Sequence, residues 1–126
     1  RFTVGENIHP VRDDATVAEA LEHAEHDGRR PGAMLLVDGA SGRLTGLFTD
    51  ADLRRLVVRD PSAVSAPVST VMTRDPDTLA HDALVRDAVR MVRESRRDEI
   101  PVVDGDGRPV GIIDVQDLIA LRVVSR

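Results

Sequence analysis

The sequence predicts an α/β protein, α+β in its arrangement, made of two copies of one strand–helix–strand–strand–helix unit. The first observation is an internal repeat: residues 33–53 read AMLLVDGASGRLTGLFTDADL, and residues 99–118 read EIPVVDGDGRPVGIIDVQDL. The second is that each copy holds two short apolar runs around a Gly-rich turn, the pattern of a β-hairpin. Since a unit of about 60 residues buries too little surface by itself, we expect the copies to pack as one pseudo-twofold module.

The two copies align when one inserted residue is allowed in the first. The alignment pairs Asp38 with Asp104, Gly39 with Gly105, Gly46 with Gly111, Asp52 with Asp117 and Leu53 with Leu118. Upstream, the segment 16–21 aligns with the segment 84–89. These matches predict a first repeat over residues 1–60, a linker over 61–67 and a second repeat over 68–126.

The elements of the first repeat follow from local signals. Thr16 and Glu19 have the spacing of a capping box, which predicts that a helix begins there, and Gly28 is expected to close it. The following elements are then predicted: a strand at Ala33–Val37, a turn at Asp38–Arg43, a strand at Leu44–Phe48 and a helix beginning at Asp50.

The second repeat gives the same order of signals. Residues 71–73 precede a turn at Asp75 and Pro76, and a helix is predicted from about Ala83 to Arg96. Strands are predicted at Ile100–Val103 and Val110–Ile113, joined by a turn at Asp104–Arg108, and a last helix near Val115. Asp104 to Gly107 (DGDG) resembles the start of a calcium loop, but Pro109 and Val115 occupy positions that need Gly and Glu, so a hairpin turn is expected.

Composition excludes several classes of function. The net charge of −5 and the lack of Tyr and Trp argue against nucleic-acid binding. The chain has no Cys and no Lys, which removes thiolate and Schiff-base chemistry, and no nucleophile–base pair is visible. No apolar run approaches the roughly 18 residues of a membrane span. Since Arg1 is not an initiator Met, we expect the chain to be a fragment. We expect this fragment to be cytoplasmic and non-catalytic, with no metal site and no cofactor for catalysis.

Two charged helical faces are further candidates for a site. His23 and His26, with Glu22 and Glu25, could cluster around a metal, but we interpret them as a solvated face because no further ligand group is in view. In the second repeat, arginines recur every three or four residues. They are Arg86, Arg90, Arg93 and Arg97, and they predict one solvated stripe that could face a partner.

The candidate site lies where the second strand of the first repeat meets a helix. Thr49 and the helix N-terminal amides suit a phosphate, Asp52 could accept ribose hydroxyls, and Arg54 and Arg55 could balance phosphate charge. The same spacing also satisfies an N-cap with an acidic residue in the first turn, which stabilises a helix by roughly 0.5–2 kcal/mol without any ligand. In the second repeat Asp114 replaces the threonine, and its charge would repel a phosphate. Capping therefore explains both repeats, and phosphate binding only the first.

The chain resembles a tandem of CBS domains, the regulatory Bateman module. The resemblance covers nearly the whole chain and rests on the Pro101-Val102-Val103-Asp104 strand, on Val71-Met72-Thr73 and on a Gly-h-h-Thr-x-x-Asp-Leu pattern, where h is a hydrophobic residue. The second copy repeats this pattern with Asp114 in the place of the threonine. A narrower resemblance, over residues 46–55 (GLFTDADLRR) and the opening 5–8 (GENI), is to the CBS pair at the C-terminus of the sugar isomerase (SIS) family that interconverts D-arabinose 5-phosphate and D-ribulose 5-phosphate. Isomerases of this kind often carry a His-containing segment before the second Asp-Leu, where this chain has residues 113–116 (IDVQ).

The resemblance implies a nucleotide site in the first repeat. Thr49 and Asp52 would contact phosphate and ribose, Arg54 would lie nearby, and the base would lie against aliphatic residues. Those residues would be Ile8, Pro10, Val11 and Leu47. The equivalent site of the second repeat, at Asp114 and Asp117, would be impaired. The implied ligand is an adenine nucleotide or a CMP-sugar.

The resemblance also implies partners: an upstream SIS catalytic domain, and a homo-oligomer, dimer or tetramer, formed through the CBS pairs. Apolar helix faces are expected to make that contact. Their members are Leu53, Leu56, Val57, Leu118, Leu121 and Val124. Two alternatives stay open: a module that drives oligomerisation and binds no ligand, and a CBS pair of another parent protein, such as a transporter or a dehydrogenase.

Overall fold

The fold consists of two small mixed sheets with helices, described by a computed structural model that covers residues 8–25, 33–94 and 99–114. The strands are β1 (Val11–Arg12), β2 (Ala33–Val37), β3 (Leu44–Thr49), β4 (Thr73–Arg74), β5 (Leu79–Ala80), β6 (Glu99–Val103) and β7 (Pro109–Asp114). The helices are α1 (Val17–Glu25), α2 (Asp50–Arg59) and α3 (Val85–Glu94), with 3-10 turns at Pro61–Ser65 and Val68–Thr70. The predicted α/β class is confirmed. Gly28, Arg97 and the predicted last helix lie outside the described residues.

The first compact unit, His9–Pro76, is built on a four-stranded sheet in the order β1-β2-β3-β4. β1 pairs parallel to β2, whereas β3 pairs antiparallel to both β2 and β4. A cluster of aliphatic side chains around Phe48 covers one face of this sheet, and α1 and α2 supply Val17 and Leu56 to it. The core is thus aliphatic with one aromatic side chain, as the composition indicates.

The segment between the repeats is ordered and tied to the start of α1. The Val17 amide donates to Ala66 O at 3.0 Å, and the Val68 amide donates to Ala15 O at 2.8 Å. Beyond it, β4 pairs with β3, with Thr73 opposite Leu47. The linker expected from the sequence is therefore a packed connection, and residues that follow it complete the sheet of the first unit.

The other unit holds the described residues from Asp77 onward, together with Ile8, and contains the sheet β5-β6-β7 and the helix α3. Its hairpin matches that of the first unit: β2 and β3 shift register between Leu36 and Val37, and β6 and β7 shift register between Val102 and Val103. β5 pairs parallel to β6, as β1 pairs with β2. The repeat seen in the sequence is therefore a repeat of structure.

Both hairpin turns depend on a glycine and an aspartate at equivalent places. Gly42 and Gly107 have φ of 76° and 81°, a region that glycine adopts without steric cost. The Ser41 amide and hydroxyl both donate to Asp38, and this lowers the pKa of that carboxyl below its ordinary value. In the second hairpin, the amides at positions 108 and 106 donate to Asp104 and lower its pKa in the same way. The hairpin interpretation of the Asp104 segment is confirmed.

Gly46→Ala is expected to destabilise the protein by about 1–3 kcal/mol, the usual cost of overpacking a core. Gly46 is buried in β3, and a Cβ there would lie within 2.8 Å of Met72 Cγ and Cε and closer still to its sulfur. Met72 is itself buried in the core, so little space is left for it to move. Gly105→Ala is the control, because nothing lies within 4 Å of a Cβ at that position. Urea unfolding of both variants gives the comparison, and equal stabilities would contradict the packing argument.

Candidate functional site

The candidate site is the junction at which β3 ends and α2 begins. Thr49 is the N-cap of α2 and has extended backbone angles. Its Oγ1 accepts from the Asp52 amide at 3.1 Å, while Asp52 Oδ2 accepts from the Thr49 amide at 3.0 Å. This reciprocal pair is a capping box, so the capping interpretation of Thr49 and Asp52 is confirmed.

The second oxygen of the Asp52 carboxylate is held by an arginine. Arg55 Nη2 donates to Asp52 Oδ1 at 2.5 Å, one turn along α2. The Asp52 side chain is only 15% exposed, whereas that of Arg55 is 68% exposed. Both carboxylate oxygens are therefore engaged in this structure, one by the backbone and one by a side chain that solvent reaches.

The side chain of Arg54, which the resemblance places near the site, is exposed and makes no hydrogen bond or ion pair with the residues that the structure describes. Arg55 makes the contact because residues three apart lie on one face of a helix, whereas residues two apart do not. That spacing from Asp52 is the signal that would have distinguished the two arginines in the sequence.

The remaining residues predicted for the first site occupy different environments. Leu47 is fully buried and pairs with Leu35, and Val11 is buried in β1. Pro10 is half-buried and directly precedes β1. Because β1 and β2 are parallel, Pro10 lies toward the end of the sheet where Ala33 pairs with Thr49. The topology thus brings Pro10 and Thr49 to the same end of the sheet.

Ile8 belongs to the other compact unit, where it is half-buried. The second predicted site is described only in part. Asp114 ends β7 opposite Glu99, at the place where Thr49 lies opposite Ala33 in the first repeat. The second repeat therefore has two formally anionic residues where the first has none. Asp117 lies outside the described residues.

The other candidate sites are less developed. Glu22 and His23 are both exposed on α1, and His26 lies outside the described residues. Within residues 8–25, 33–94 and 99–114, no group of three or more His, Asp or Glu side chains is arranged to hold a metal ion. In the same ranges, no helix has the length and apolar character required to cross a bilayer.

Known proteins that resemble this chain in sequence include two arabinose 5-phosphate isomerases. Arabinose 5-phosphate isomerase KdsD of Pseudomonas aeruginosa is 31% identical over 121 residues, which are 96% of this chain and 36% of that protein. Arabinose 5-phosphate isomerase GutQ of Escherichia coli K12 is 32% identical over 118 residues, or 90% of this chain and 36% of that protein. The chain thus spans about a third of the length of these isomerases.

Solved structures show the same fold. CBSX2, a CBS-pair protein from Arabidopsis thaliana, was solved in complex with AMP; it is 25% identical, with a TM-score of 0.74, over 98% of this chain and 94% of that one. The cytosolic domain of the Mg²⁺ channel MgtE, solved with ATP, is 26% identical with a TM-score of 0.77, over 94% of this chain and 46% of that one. The family model of the CBS domain matches residues 4–59 and again residues 68–123. The chain therefore belongs to the CBS domain family and carries two CBS domains in tandem.

Proposed function

We propose that this CBS pair is a regulatory nucleotide-binding module of a sugar-phosphate isomerase. The parent would interconvert arabinose 5-phosphate and ribulose 5-phosphate in an N-terminal SIS domain that is not part of this sequence. The identity to KdsD and GutQ over nearly the whole chain supports that parent. The relatives solved with AMP and ATP support an adenine nucleotide as the ligand; a CMP-sugar is the alternative ligand.

The observation that carries the proposal is the arrangement of Thr49, Asp52 and Arg55 at the start of α2. A helix N-terminus presents backbone amides without intrahelical acceptors, which favours a phosphate there. The Thr49 hydroxyl accepts one hydrogen bond in the cap and retains its own proton to donate to a phosphate oxygen. The ribose would then bind at Asp52, one turn into the helix.

Arg55 makes this arrangement compatible with the engaged carboxylate. Its ion pair with Asp52 is exposed on the arginine side, and exposed helical pairs stabilise by only about 0.3–0.5 kcal/mol. A nucleotide could therefore displace it at little cost. Asp52 Oδ1 would accept a ribose hydroxyl, and Arg55 would turn to the phosphate, where a charge-assisted hydrogen bond replaces the lost pair. The base would lie toward Pro10 and Val11, at the same end of the sheet.

A second function is favoured by a different observation. Thr49 and Asp52 satisfy each other's hydrogen bonds in the capping box, and this pairing stabilises α2 whether or not the module binds a ligand. Val57 and Val58 of α2 are 41% and 86% exposed, so this helix offers an apolar surface for self-association. Leu56, expected on the same surface, is instead buried in the core of its own unit. In this alternative the pair holds a dimer or tetramer together and binds no ligand; a parent of another kind, such as a transporter or a dehydrogenase, is a further alternative.

Equilibrium binding distinguishes these functions. Isothermal titration of the chain with AMP, ATP and a CMP-sugar is expected to show one ligand per chain, because the second repeat has Asp114 in place of Thr49. Two ligands per chain would contradict the charge argument for the second repeat. No binding to any member of the panel would leave the self-association function as the better account.

The parent is tested by activity. The intact protein is expected to convert arabinose 5-phosphate to ribulose 5-phosphate, and residues 1–126 alone are expected to show no turnover. The reason is that the described residues contain no acid–base pair beside a phosphate loop, so the chemistry must come from the upstream domain. Turnover by the 126-residue chain, or an intact protein without this activity, would contradict the proposed parent.

A further inference from the structure

The arginines of α3 form one exposed stripe. Arg86, Arg90 and Arg93 are four and three residues apart, so they share a face of the helix. None of the three forms an ion pair with a residue of the described ranges. With Glu94 and the nearly buried Val89, they line an open groove on this helix. The groove is therefore cationic along its rim and apolar at its floor.

The first repeat indicates that the fold does not require these arginines. In the alignment of the repeats, Ala20 of α1 and Ala88 of α3 are equivalent, and both are fully buried, so the two helices have the same packing role in their own units. On the exposed side the helices differ, since Ala18 and Glu22 of α1 occupy the positions of the first two arginines. A role in folding would be shared by both helices. The arginines therefore point to a contact that only the second repeat makes.

The chemistry of the stripe favours an acidic, amphipathic helix as the occupant of the groove. Guanidinium groups pair with carboxylates through two parallel hydrogen bonds, and the three arginines extend over about 10 Å of α3, which is two turns of a facing helix. The floor at Val89 suits one aliphatic side chain of that helix. A nucleic acid or a membrane surface is disfavoured, because the net charge of −5 repels an extended anion around so small a cationic stripe.

The small size of the surface favours an occupant that is tethered to this chain. One exposed ion pair strengthens binding only a few-fold, so three pairs and one aliphatic contact give a dissociation constant of roughly millimolar. A free partner would be bound only weakly, whereas a segment joined by a flexible linker has an effective concentration of about millimolar. The chain covers 36% of each of the two isomerases compared above, so a parent of that kind has further sequence that could supply the segment.

We propose that the groove on α3 binds an acidic amphipathic helix of the parent's upstream catalytic domain. The two repeats then have different roles: the first binds the nucleotide at Thr49 and Asp52, and the second binds the catalytic domain. The inference rests on the proposed function, because it requires a domain upstream of this sequence. It does not depend on which reaction that domain catalyses.

Alkylation of a reporter cysteine in the intact protein tests the contact. Glu94→Cys places a thiol in the groove, keeps all three arginines and introduces the only cysteine of this sequence. The thiol is expected to react with N-ethylmaleimide about fivefold more slowly in the intact protein than in residues 1–126 alone, because the docked helix covers it for most of the time. Mass spectrometry of the peptide that contains position 94 measures the rate, so thiols of the upstream domain do not interfere.

Charge reversal distinguishes docking of an acidic helix from other kinds of cover. Adding Arg86→Glu and Arg90→Glu to Glu94→Cys is expected to bring the rate in the intact protein to that of the same variant in residues 1–126, since attraction becomes repulsion. Comparing each variant with itself removes the effect of local charge on the thiol. Glu22→Cys, on the equivalent face of α1, is the matched control and is expected to react equally fast in both forms. Melting temperatures close to that of the unchanged protein establish that the variants are folded.

Three results would overturn the docking. They are equal rates for Glu94→Cys in the two forms, slow alkylation that persists after charge reversal, and equal slowing of Glu22→Cys. The measurement does not use activity, so the docking and the proposed reaction can fail separately. An intact protein that protects the groove but does not isomerise arabinose 5-phosphate would support the docking and contradict the proposed parent.

Discussion

Asp52→Asn is expected to remove most of the rise in melting temperature that an adenine nucleotide produces in the unchanged chain. A ligand present at 100 times its dissociation constant stabilises the folded state by about 2.7 kcal/mol, or roughly 8–15 °C for a domain of this size. Asn has one acceptor oxygen, which the cap already uses, so the variant cannot accept the proposed hydrogen bond from the ribose. A hydrogen bond to a charged group contributes about 1.5–3 kcal/mol. Its loss weakens binding on the order of a hundredfold, and the same nucleotide concentration then contributes only about 0.4 kcal/mol.

Glu19→Gln is the matched control for this variant. Glu19 has the same capping-box role at the start of α1, where its Oε1 accepts from the Thr16 amide at 2.9 Å. Both variants lose one negative charge near a helix N-terminus, so each should lower the intrinsic melting temperature by a similar small amount. Only Asp52→Asn should lose the nucleotide response. Equal responses in the two variants would mean that Asp52 is a cap and does not contact the ligand.

Phe48→Ala is expected to cost about 3–5 kcal/mol of the free energy of unfolding. Phe48 is 2% exposed, lies opposite Met34 in the sheet and fills the centre of the first unit's core. Its removal leaves a cavity that short aliphatic neighbours cannot close, because their backbones are fixed by the sheet. Folded proteins have free energies of unfolding of only about 5–15 kcal/mol, so the cost of this substitution is a large fraction of the stability. The melting temperature should fall by roughly 10–20 °C.

Val58→Ala provides the comparison in the same unit, since Val58 is 86% exposed on α2 and its truncation should change stability by no more than about 0.5 kcal/mol. Both variants are unfolded in urea, and the loss of helix is followed by circular dichroism. A cost of less than about 1 kcal/mol for Phe48→Ala would show that the first unit does not depend on its one aromatic core residue.

The candidate site could be predicted from the sequence only as far as local chemistry reaches. The sequence identifies Thr49 and Asp52 because an N-cap and its partner three residues on form a recognisable pair. It does not show that both oxygens of the Asp52 carboxylate are engaged, since this depends on the rotamer of Arg55 and on the partial burial of the Asp52 side chain. The choice between Arg54 and Arg55 can be made from the sequence once a helix is predicted at Asp50, because only Arg55 is three residues from Asp52 and so shares its helix face.

Elements whose stabilising contacts are local can be predicted from the residues alone: the start of α1 at its capping box, the two hairpins with their glycine turns, and the repetition of the unit. The two-residue strands β1, β4 and β5 cannot, because two residues carry no periodicity and such a strand exists only through a partner distant in sequence. For the same reason, only the structure showed that Thr73 and Arg74, beyond the linker, complete the first sheet. Backbone hydrogen bonds at the edge of β3 decided that placement, and side-chain patterns do not encode them.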